Sequence, residues 1–346
     1  MTDSGPLISA AFLSGLDECL ARKYGVELEP VLVDLQIAVR PPYEKAPRFE
    51  LRKFAELLEV LSHRTGEPCF GLAFAESFSR GAGGVLSYLI MNAPDLRSFM
   101  KCLSRYSRLQ IEAVDLTYRE ADGLLQFVTW SFSSDFISAR RQLTEFLMAL
   151  FVVRTQQLFG RDLKPMAVEF EYREPACRAR YEGLFGPNLK FGAATNTMTT
   201  RAVSMSRPAL ESDKKLFDLL EGLAEKQLQE LGNRPDIKAR VGREIVAGLP
   251  IDGIELDRIA TALGMSSRQL QSQLKRSGTS FEAEMARIRM SLAERYLRDT
   301  DMSMTDIALM LGFSELSSFT RAARNWFHKP PTTVREEARE GKLSKR

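Results

Sequence analysis

The chain has 346 residues, a length that predicts two domains. Hydrophobic residues make up 44% of it and charged residues 27%, as in an ordinary globular protein, and the net charge of +3 indicates no partner by itself. No apolar run approaches the roughly 20 residues that a membrane-spanning helix needs. The first residues carry acids where a secretion signal has a basic patch. We therefore expect a cytoplasmic protein with no membrane partner.

The counts of histidine and cysteine exclude several kinds of catalytic site. His63 and His328 are too few for an HExxH or three-histidine zinc site, and a Ser-His-Asp triad would have to use one of them. We expect the cysteines to be reduced and mostly buried, because they form no CxxC pair. They are Cys19, Cys69, Cys102 and Cys177. No catalytic residue, metal ligand or cofactor is predicted, and the expected function is not enzymatic.

The first 110 residues are predicted to be mostly helical. Apolar residues recur at helical spacing between Arg48 and His63, and again after Asp95. The glycine-rich stretch at residues 81–84 lacks the spacing of a phosphate-binding loop and does not follow a clear strand. We interpret it as a turn or a close helix contact.

A small sheet is predicted after Ile111. The pair Asp122-Gly123 favours a hairpin between the two strands that flank it. An apolar helix from Leu143 to Leu158 separates this hairpin from the later strands. The predicted strands cover residues 114–120, 124–132, 166–172, 189–191 and 195–200. This order of elements predicts an α+β domain.

An amphipathic helix is predicted from Ser212 to Leu231, and Gly232 and Pro235 end it. Its leucine stripe fits a dimer seam and core packing equally well. The predicted organisation is a sensor or oligomerisation domain at residues 1–207, a linker helix at 208–235 and a third segment at 236–340.

An internal repeat lies in that third segment. The residues from Ile259 to Ser266, IATALGMS, match those from Ile307 to Ser314, IALMLGFS, 48 positions later. Each copy predicts a short helix that ends at glycine, an apolar residue that fills the turn, and a serine that caps the next helix. This pattern is typical of a helix-turn-helix unit, whose second helix enters the major groove of DNA.

The helices after the two turns carry inward anchors one turn apart, Leu270 with Leu274 and Phe319 with Ala323. The positions between the anchors are polar or basic, and such side chains contact phosphates and base edges. The predicted DNA-binding residues are Arg268, Gln271, Ser272, Lys275 and Arg276 in the first unit, and Ser317, Ser318, Arg321 and Arg324 in the second.

A helix from Phe281 to Arg298 is predicted between the two units. Ser266 with Gln269, and Thr279 with Glu282, have the spacing of capping boxes. The connecting helix would be about 27 Å long. Successive major grooves on one side of DNA are roughly 34 Å apart. One chain could therefore hold two recognition helices in adjacent grooves.

This third segment resembles the AraC/XylS family of bacterial transcription regulators over residues 237–339. The stretches that carry the resemblance are LGMSSRQLQ (263–271), GTSF (278–281), RYL (295–297), LGFSE (311–315), SFTRA (318–322) and WFHKPP (326–331). The resemblance implies an all-α domain with two helix-turn-helix units, double-stranded promoter DNA as partner, and contact with RNA polymerase. Ala323 departs from it, because the family usually has an aromatic residue there, as does Val334-Arg335 in place of a tyrosine-arginine pair.

The first 230 residues resemble the effector-binding region of one AraC subfamily, the arabinose-binding-domain type. The stretches GVLSY (84–88) and PDL (94–96) carry this resemblance. It implies a small-molecule effector, without its identity, or a homodimer. The predicted fold class is therefore mainly α, with an α+β N-terminal domain and an all-α C-terminal domain. Activation and repression remain alternatives.

Two other functions are also consistent with a C-terminal DNA-binding segment. An alkylation-repair regulator of the same family needs a methyl-accepting cysteine in a Pro-Cys-His-Arg setting. Cys69 precedes Phe70, and Cys177 follows Ala176, so neither cysteine has that setting. An architectural DNA binder without an effector would leave 230 further residues of folded domain unexplained.

Overall fold

The structure is a computed structural model. It describes residues 6–79, 81–112, 114–121, 124–130, 140–193, 195–231, 237–249 and 255–339. The chain divides into two compact units. The N-terminal unit comprises residues 1–132, 138–170 and 174–232, and the C-terminal unit comprises residues 133–137, 171–173 and 233–346.

Six α-helices lie in the described residues up to Tyr106, where the sequence predicts mostly helical structure. They are α1 (Phe12–Lys23), α2 (Leu28–Asp34), α3 (Leu51–Thr65), α4 (Phe70–Ser77), α5 (Gly84–Met91) and α6 (Leu96–Tyr106). Asp95 caps α6, because its carboxylate accepts a hydrogen bond from the Ser98 amide at 2.7 Å. The short antiparallel strands β1 (Leu7–Ile8) and β2 (Phe49–Glu50) were not predicted.

A five-stranded sheet follows. Its strands are β3 (Asp115–Ala121), β4 (Leu124–Trp130), β5 (Ala167–Phe170), β6 (Leu189–Phe191) and β7 (Asn196–Arg201). Their order is β3-β4-β7-β5-β6, with β5 and β6 parallel and the other neighbours antiparallel. The predicted turn residues Asp122 and Gly123 lie outside the described residues. Helix α8 (Arg178–Phe185) connects the parallel pair, as a parallel crossover requires.

Helix α7 (Arg141–Phe159) is buried on more of its circumference than the predicted apolar stripe implies. Its polar residues Gln142, Glu145 and Arg154 are also buried. The Gln142 side chain accepts a hydrogen bond from the Gly71 amide at 2.7 Å. A Cβ atom at Gly71 would lie 2.2 Å from the Gln142 carbonyl, so glycine lets α4 pack directly on α7.

Helix α9 (Lys214–Glu230) packs against α5 and α6 within the N-terminal unit. Phe217 and Ala224 are buried at this contact. The side chains of Leu216, Leu219 and Leu223 are exposed on the other side of the helix. We call these three residues the leucine ridge. The predicted apolar stripe therefore has two parts. One part packs against α5 and α6, and no described residue of the N-terminal unit covers the leucine ridge.

The described part of the C-terminal unit beyond residue 236 is entirely helical. Its helices are α10 (Ile237–Gly248), α11 (Leu256–Ala262), α12 (Ser267–Arg276), α13 (Phe281–Asp299), α14 (Met304–Met310), α15 (Leu316–Phe327) and α16 (Pro331–Arg339). One apolar core joins them, from Val241 on α10 to Val334 on α16. The predicted fold class, mainly α with an α+β N-terminal domain, is confirmed.

The expectation that all four cysteines are reduced is wrong. Cys69 and Cys177 form a disulfide whose Cα atoms lie 6.5 Å apart, whereas Cys19 and Cys102 are free and buried. No sequence motif indicates this pair, because 108 residues separate the two cysteines and only the fold brings them together.

The described residues lack two kinds of feature. No helix among them has both the length and the apolar character to cross a membrane. The same residues contain no group of three or more His, Cys, Asp or Glu side chains able to hold a metal ion.

Candidate nucleic-acid interface

The two copies of the repeat fold into the same helix-turn-helix shape. Gly264 and Gly312 follow α11 and α14, and both have a φ of +69°, a conformation that glycine adopts without strain. The next residue closes the turn in the same way in both copies. The Met265 amide donates to the Ala260 carbonyl, and the Phe313 amide donates to the Ala308 carbonyl, each at 2.9 Å.

The caps of these helices differ between the two copies. Ser266 forms the predicted capping box with Gln269 at the start of α12. The predicted serine cap of α15 is wrong, because this helix begins after Glu315, whose side chain makes no capping hydrogen bond.

The predicted capping box of Thr279 and Glu282 is also wrong. Helix α13 is capped by Ser280, whose hydroxyl accepts a hydrogen bond from the Ala283 amide at 3.1 Å. The Thr279 hydroxyl instead donates to the Glu284 carboxylate at 2.8 Å. The neighbouring residue takes the capping role because its backbone is extended at the helix start.

The inward anchors of α12 and α15 are completely buried. Leu270, Leu274, Phe319 and Ala323 are all 0% exposed. The ring centres of Phe319 and Phe313 lie 5.9 Å apart, and those of Trp326 and Phe313 lie 6.2 Å apart. The buried anchors and these aromatic contacts hold α15 against the core, although Ala323 lacks the aromatic ring that is usual in the family.

Two arginines hold the turns, and sequence reasoning missed both. The Arg240 guanidinium on α10 donates to the Leu263 carbonyl at 3.0 Å, and the Arg289 guanidinium on α13 donates to the Gly312 carbonyl at 3.1 Å. Each arginine precedes its acceptor by 23 residues. The Arg289 guanidinium also lies 4.7 Å from the centre of the Phe313 ring. No sequence signal identifies the two positions, because both acceptors are backbone carbonyl groups.

The predicted DNA-binding residues lie on the outer surfaces of α12 and α15. On α12, Arg268, Gln271, Ser272, Lys275 and Arg276 are all exposed. The first four follow the i, i+3, i+4, i+7 spacing of a single helix face.

On α15, Ser317, Arg321 and Arg324 are exposed and follow i, i+4, i+7 spacing, while Ser318 is half-buried. Ser317, Arg321 and Arg324 line a shallow groove along the helix together with Leu316, Thr320 and Asn325. Ser318 lies outside the groove, and the Ser317 hydroxyl is already bonded to the Glu315 carboxylate at 2.9 Å. The arginines are therefore the principal free donors of this face.

The two faces carry five cations. No acidic side chain among the described residues lies within salt-bridge distance of them. They are Arg268, Lys275, Arg276, Arg321 and Arg324. The two faces therefore present unpaired positive charge, which phosphate groups attract.

Helix α13 separates the two helix-turn-helix units. It has 19 residues, one more than predicted, and is about 28 Å long. Its buried residues include Met285, Ile288 and Leu292, which belong to the core that both units share. The arrangement gives one polypeptide two outward-facing basic helices on a common rigid support.

The chain matches two known domain families. Residues 25–209 match the arabinose-binding domain of AraC transcription regulators, N-terminal, and residues 259–337 match a helix-turn-helix domain. The first match alone covers more than half of the chain.

Similar proteins are transcription regulators by name. The chain is 27% identical over 337 residues to the ornithine utilization regulator of Pseudomonas aeruginosa, covering 95% of this chain and 96% of that protein. It is 25% identical over 333 residues to the transcriptional regulator VirS of Mycobacterium tuberculosis, covering 96% and 97%. Among solved structures, the regulator CdpR of Pseudomonas aeruginosa is 19% identical, with a TM-score of 0.43 over 89% of this chain and 96% of that one.

Proposed function

Since this chain belongs to the AraC family of transcription regulators, we propose that α12 and α15 enter adjacent major grooves of its operator DNA. The protein is a sequence-specific DNA-binding regulator. In the proposed organisation, residues 1–207 form a sensor or oligomerisation domain. Residues 208–235 form a linker helix, and residues 236–340 form the DNA-binding domain. The exposed and unpaired cations on two helices joined by α13 carry the proposal.

The test is binding of the full chain to DNA from its own promoter and to scrambled DNA at fixed salt. We expect at least about 1,000-fold tighter binding to the promoter. The logarithm of the affinity should fall linearly with the logarithm of salt concentration, because phosphate contacts release counterions. Equal affinity for the two DNAs would support an architectural binder instead.

The proposed base contacts predict different outcomes for two cations. Replacing Arg321 with alanine should cost about 1–3 kcal/mol of specific binding and relax the preference at one base step. Replacing Lys275, near the end of α12, with alanine should weaken binding to all DNA sequences alike. It should also reduce the slope of log affinity against log salt concentration by about 1. Both are measured by titrating promoter and scrambled DNA at several salt concentrations.

Arg52→Ala is the matched control, because Arg52 is an exposed arginine on α3 of the N-terminal unit. It should leave affinity, specificity and salt slope unchanged. If Arg321→Ala behaved like this control, α15 would not be a groove-reading helix.

We propose that a small molecule bound to the N-terminal unit sets the affinity for DNA. The support is the match of residues 25–209 to a domain described as arabinose-binding. A ligand can act only through different affinities for two states of the protein. Amino acids are the first candidates, because one relative is named for ornithine utilization. Calorimetry of the full chain with ornithine, followed by DNA titration with and without it, tests this choice.

We also propose that the leucine ridge of α9 pairs with the same ridge of a second copy. Gly222 lies beside the ridge and has no Cβ, which allows two helices to approach closely. In an antiparallel two-fold pairing centred near Leu219, Leu216 faces the partner's Leu223. Lys226 then falls beside the partner's Asp213, so the charges of the two copies complement each other.

Replacing Leu219 with glutamate is expected to abolish the dimer. This leucine is 66% exposed at the centre of the ridge, and a charge there would be desolvated on pairing. Sedimentation equilibrium should show a mass of one chain in place of two. Val33→Glu on α2 is the control, because Val33 is 69% exposed and lies off the ridge. A Leu219→Glu chain that still sedimented as a dimer would remove α9 from the interface.

Three further proposals follow from family membership. Regulators of transcription act where RNA polymerase binds, so we propose that this protein contacts RNA polymerase. We also propose that it acts in the cytoplasm. We propose no catalytic activity, since the similar proteins are named as regulators. Whether the regulator activates or represses is decided by transcription from its own promoter with and without the protein.

A further inference from the structure

Cys69 and Cys177 lie at the starts of two helices from distant parts of the N-terminal unit. Cys69 is the N-cap of α4, and Cys177 is the N-cap of α8. Their Cα separation of 6.5 Å lies within the range that a disulfide spans. Nothing in the sequence or in the similar proteins' names assigns a role to this pair.

We propose that Cys69 and Cys177 form a reversible redox site that reacts with hydroperoxides. The two side chains differ in access, since Cys69 is fully buried and Cys177 is half-exposed. A helix start stabilises negative charge and so favours the thiolate form at both cysteines, and access to the oxidant distinguishes them. Cys177 is therefore the attacking sulfur, and Cys69 is the resolving one.

A set of ion pairs holds the two cysteines together without the disulfide. The Arg180 guanidinium, on α8, forms salt bridges with Glu67 and Glu76. The other oxygen of the Glu67 carboxylate accepts a hydrogen bond from the Cys69 amide at 3.1 Å. Because these contacts link the start of α8 to both ends of α4, they keep the sulfur atoms near each other after reduction. Reduction and reoxidation can then occur in the folded protein.

The two remaining cysteines are poor competitors for an oxidant. Burial raises the pKa of the Cys19 thiol, and burial raises the pKa of Cys102 to about 12. Both therefore remain protonated at neutral pH, and the thiol is far less nucleophilic than the thiolate. The difference in access and protonation makes the reaction selective for Cys177.

The proposed reaction has two steps. The Cys177 thiolate attacks one oxygen of the hydroperoxide, the O–O bond breaks, and the alkoxide or hydroxide that leaves takes up a proton. This step oxidises Cys177 to a sulfenic acid. The Cys69 thiol then attacks the Cys177 sulfur, the S–O bond breaks, and water leaves. The sum converts two thiols and one hydroperoxide into a disulfide, an alcohol or water, and one further water.

Hydrogen peroxide is the probe for the full chain, and the free thiols are counted by alkylation and mass spectrometry. One equivalent should remove the thiols of Cys69 and Cys177 and leave those of Cys19 and Cys102. Dithiothreitol should restore both under native conditions. In Cys69→Ser, the sulfenic acid on Cys177 should persist and be trapped by dimedone, whereas Cys177→Ser should give no trapped product.

A thermal scan separates this site from a purely structural disulfide. The oxidised chain should melt about 10 °C above the reduced chain, because the disulfide closes a long loop, while the reduced chain remains folded. The proposal is overturned if native dithiothreitol leaves the disulfide intact, if the reduced chain is unfolded, or if peroxide reacts first at Cys19 or Cys102.

Discussion

Replacing Phe319 with alanine is expected to destabilise the C-terminal unit by about 3–5 kcal/mol. Phe319 is 0% exposed and is the largest fully buried side chain of α15. Its removal leaves a cavity beneath the helix that carries Arg321 and Arg324. The chain should therefore lose its second DNA contact as well as stability.

Tryptophan fluorescence allows this unit to be followed separately. The chain has two tryptophans, Trp130 on β4 and Trp326 on α15. In a Trp130→Phe background, the remaining tryptophan reports urea unfolding at the helix in question. The Phe319→Ala transition should shift to lower urea with an unchanged slope.

Leu309→Ala is the matched control for Phe319→Ala. Leu309 lies on α14 of the same helix-turn-helix unit and is 56% exposed. Its truncation should change the unfolding free energy by less than about 0.5 kcal/mol. Equal effects of the two substitutions would show that α15 is not anchored through Phe319.

The helix-turn-helix units were predictable because their determinants are local. The glycine, the apolar residue of the turn and the anchors all lie within about 20 residues, so their spacing in sequence fixes their positions on the helices. The prediction that Ser314 and Thr279 cap helices was wrong, although it also rested on local spacing. A capping residue is selected by the backbone conformation at the helix start, which neighbouring polar residues compete to provide.

The features that sequence reasoning missed depend on long-range packing. Cys69 meets Cys177 because of the way α8 packs in the N-terminal unit. Arg240 and Arg289 appear in sequence as surface cations, and their acceptors are carbonyl groups that carry no sequence signal. The leucines of α9 show an amphipathic helix, but its pattern does not say which leucines another element covers.

The burial of Glu145 is another feature that depends on long-range packing. From it we expect the stability of the N-terminal unit to depend on pH. It lies on α7 with an exposure of 0%, beside Arg141 at 2.6 Å and the Tyr181 hydroxyl, which both donate to the same carboxylate oxygen. The other oxygen is buried and has no hydrogen-bond partner among the described residues. Burial raises the pKa of Glu145 to about 7, although Arg141 and Tyr181 act to lower it.

The sign of the effect follows from proton binding. Between about pH 4.5 and 7 the folded state holds a proton on Glu145 that the unfolded state has released. The unfolding free energy must therefore fall as pH rises through this window, by about 3 kcal/mol in total from this group. Above pH 7 the loss is complete, because Glu145 is then ionised in both states.

Replacing Glu145 with glutamine is expected to remove this pH dependence. The amide oxygen can still accept from Arg141 and Tyr181, and no charge remains to be buried. At pH 8 the variant should be more stable than the natural chain by up to about 3 kcal/mol, and the two should converge near pH 5.

Urea unfolding followed by Trp130 fluorescence in a Trp326→Phe background measures the difference. Glu56→Gln, at an exposed position of α3, is the control and should follow the natural chain at both pH values. A Glu145→Gln chain less stable than the natural one at pH 8 would mean that the carboxylate is stabilised as an ion by Arg141.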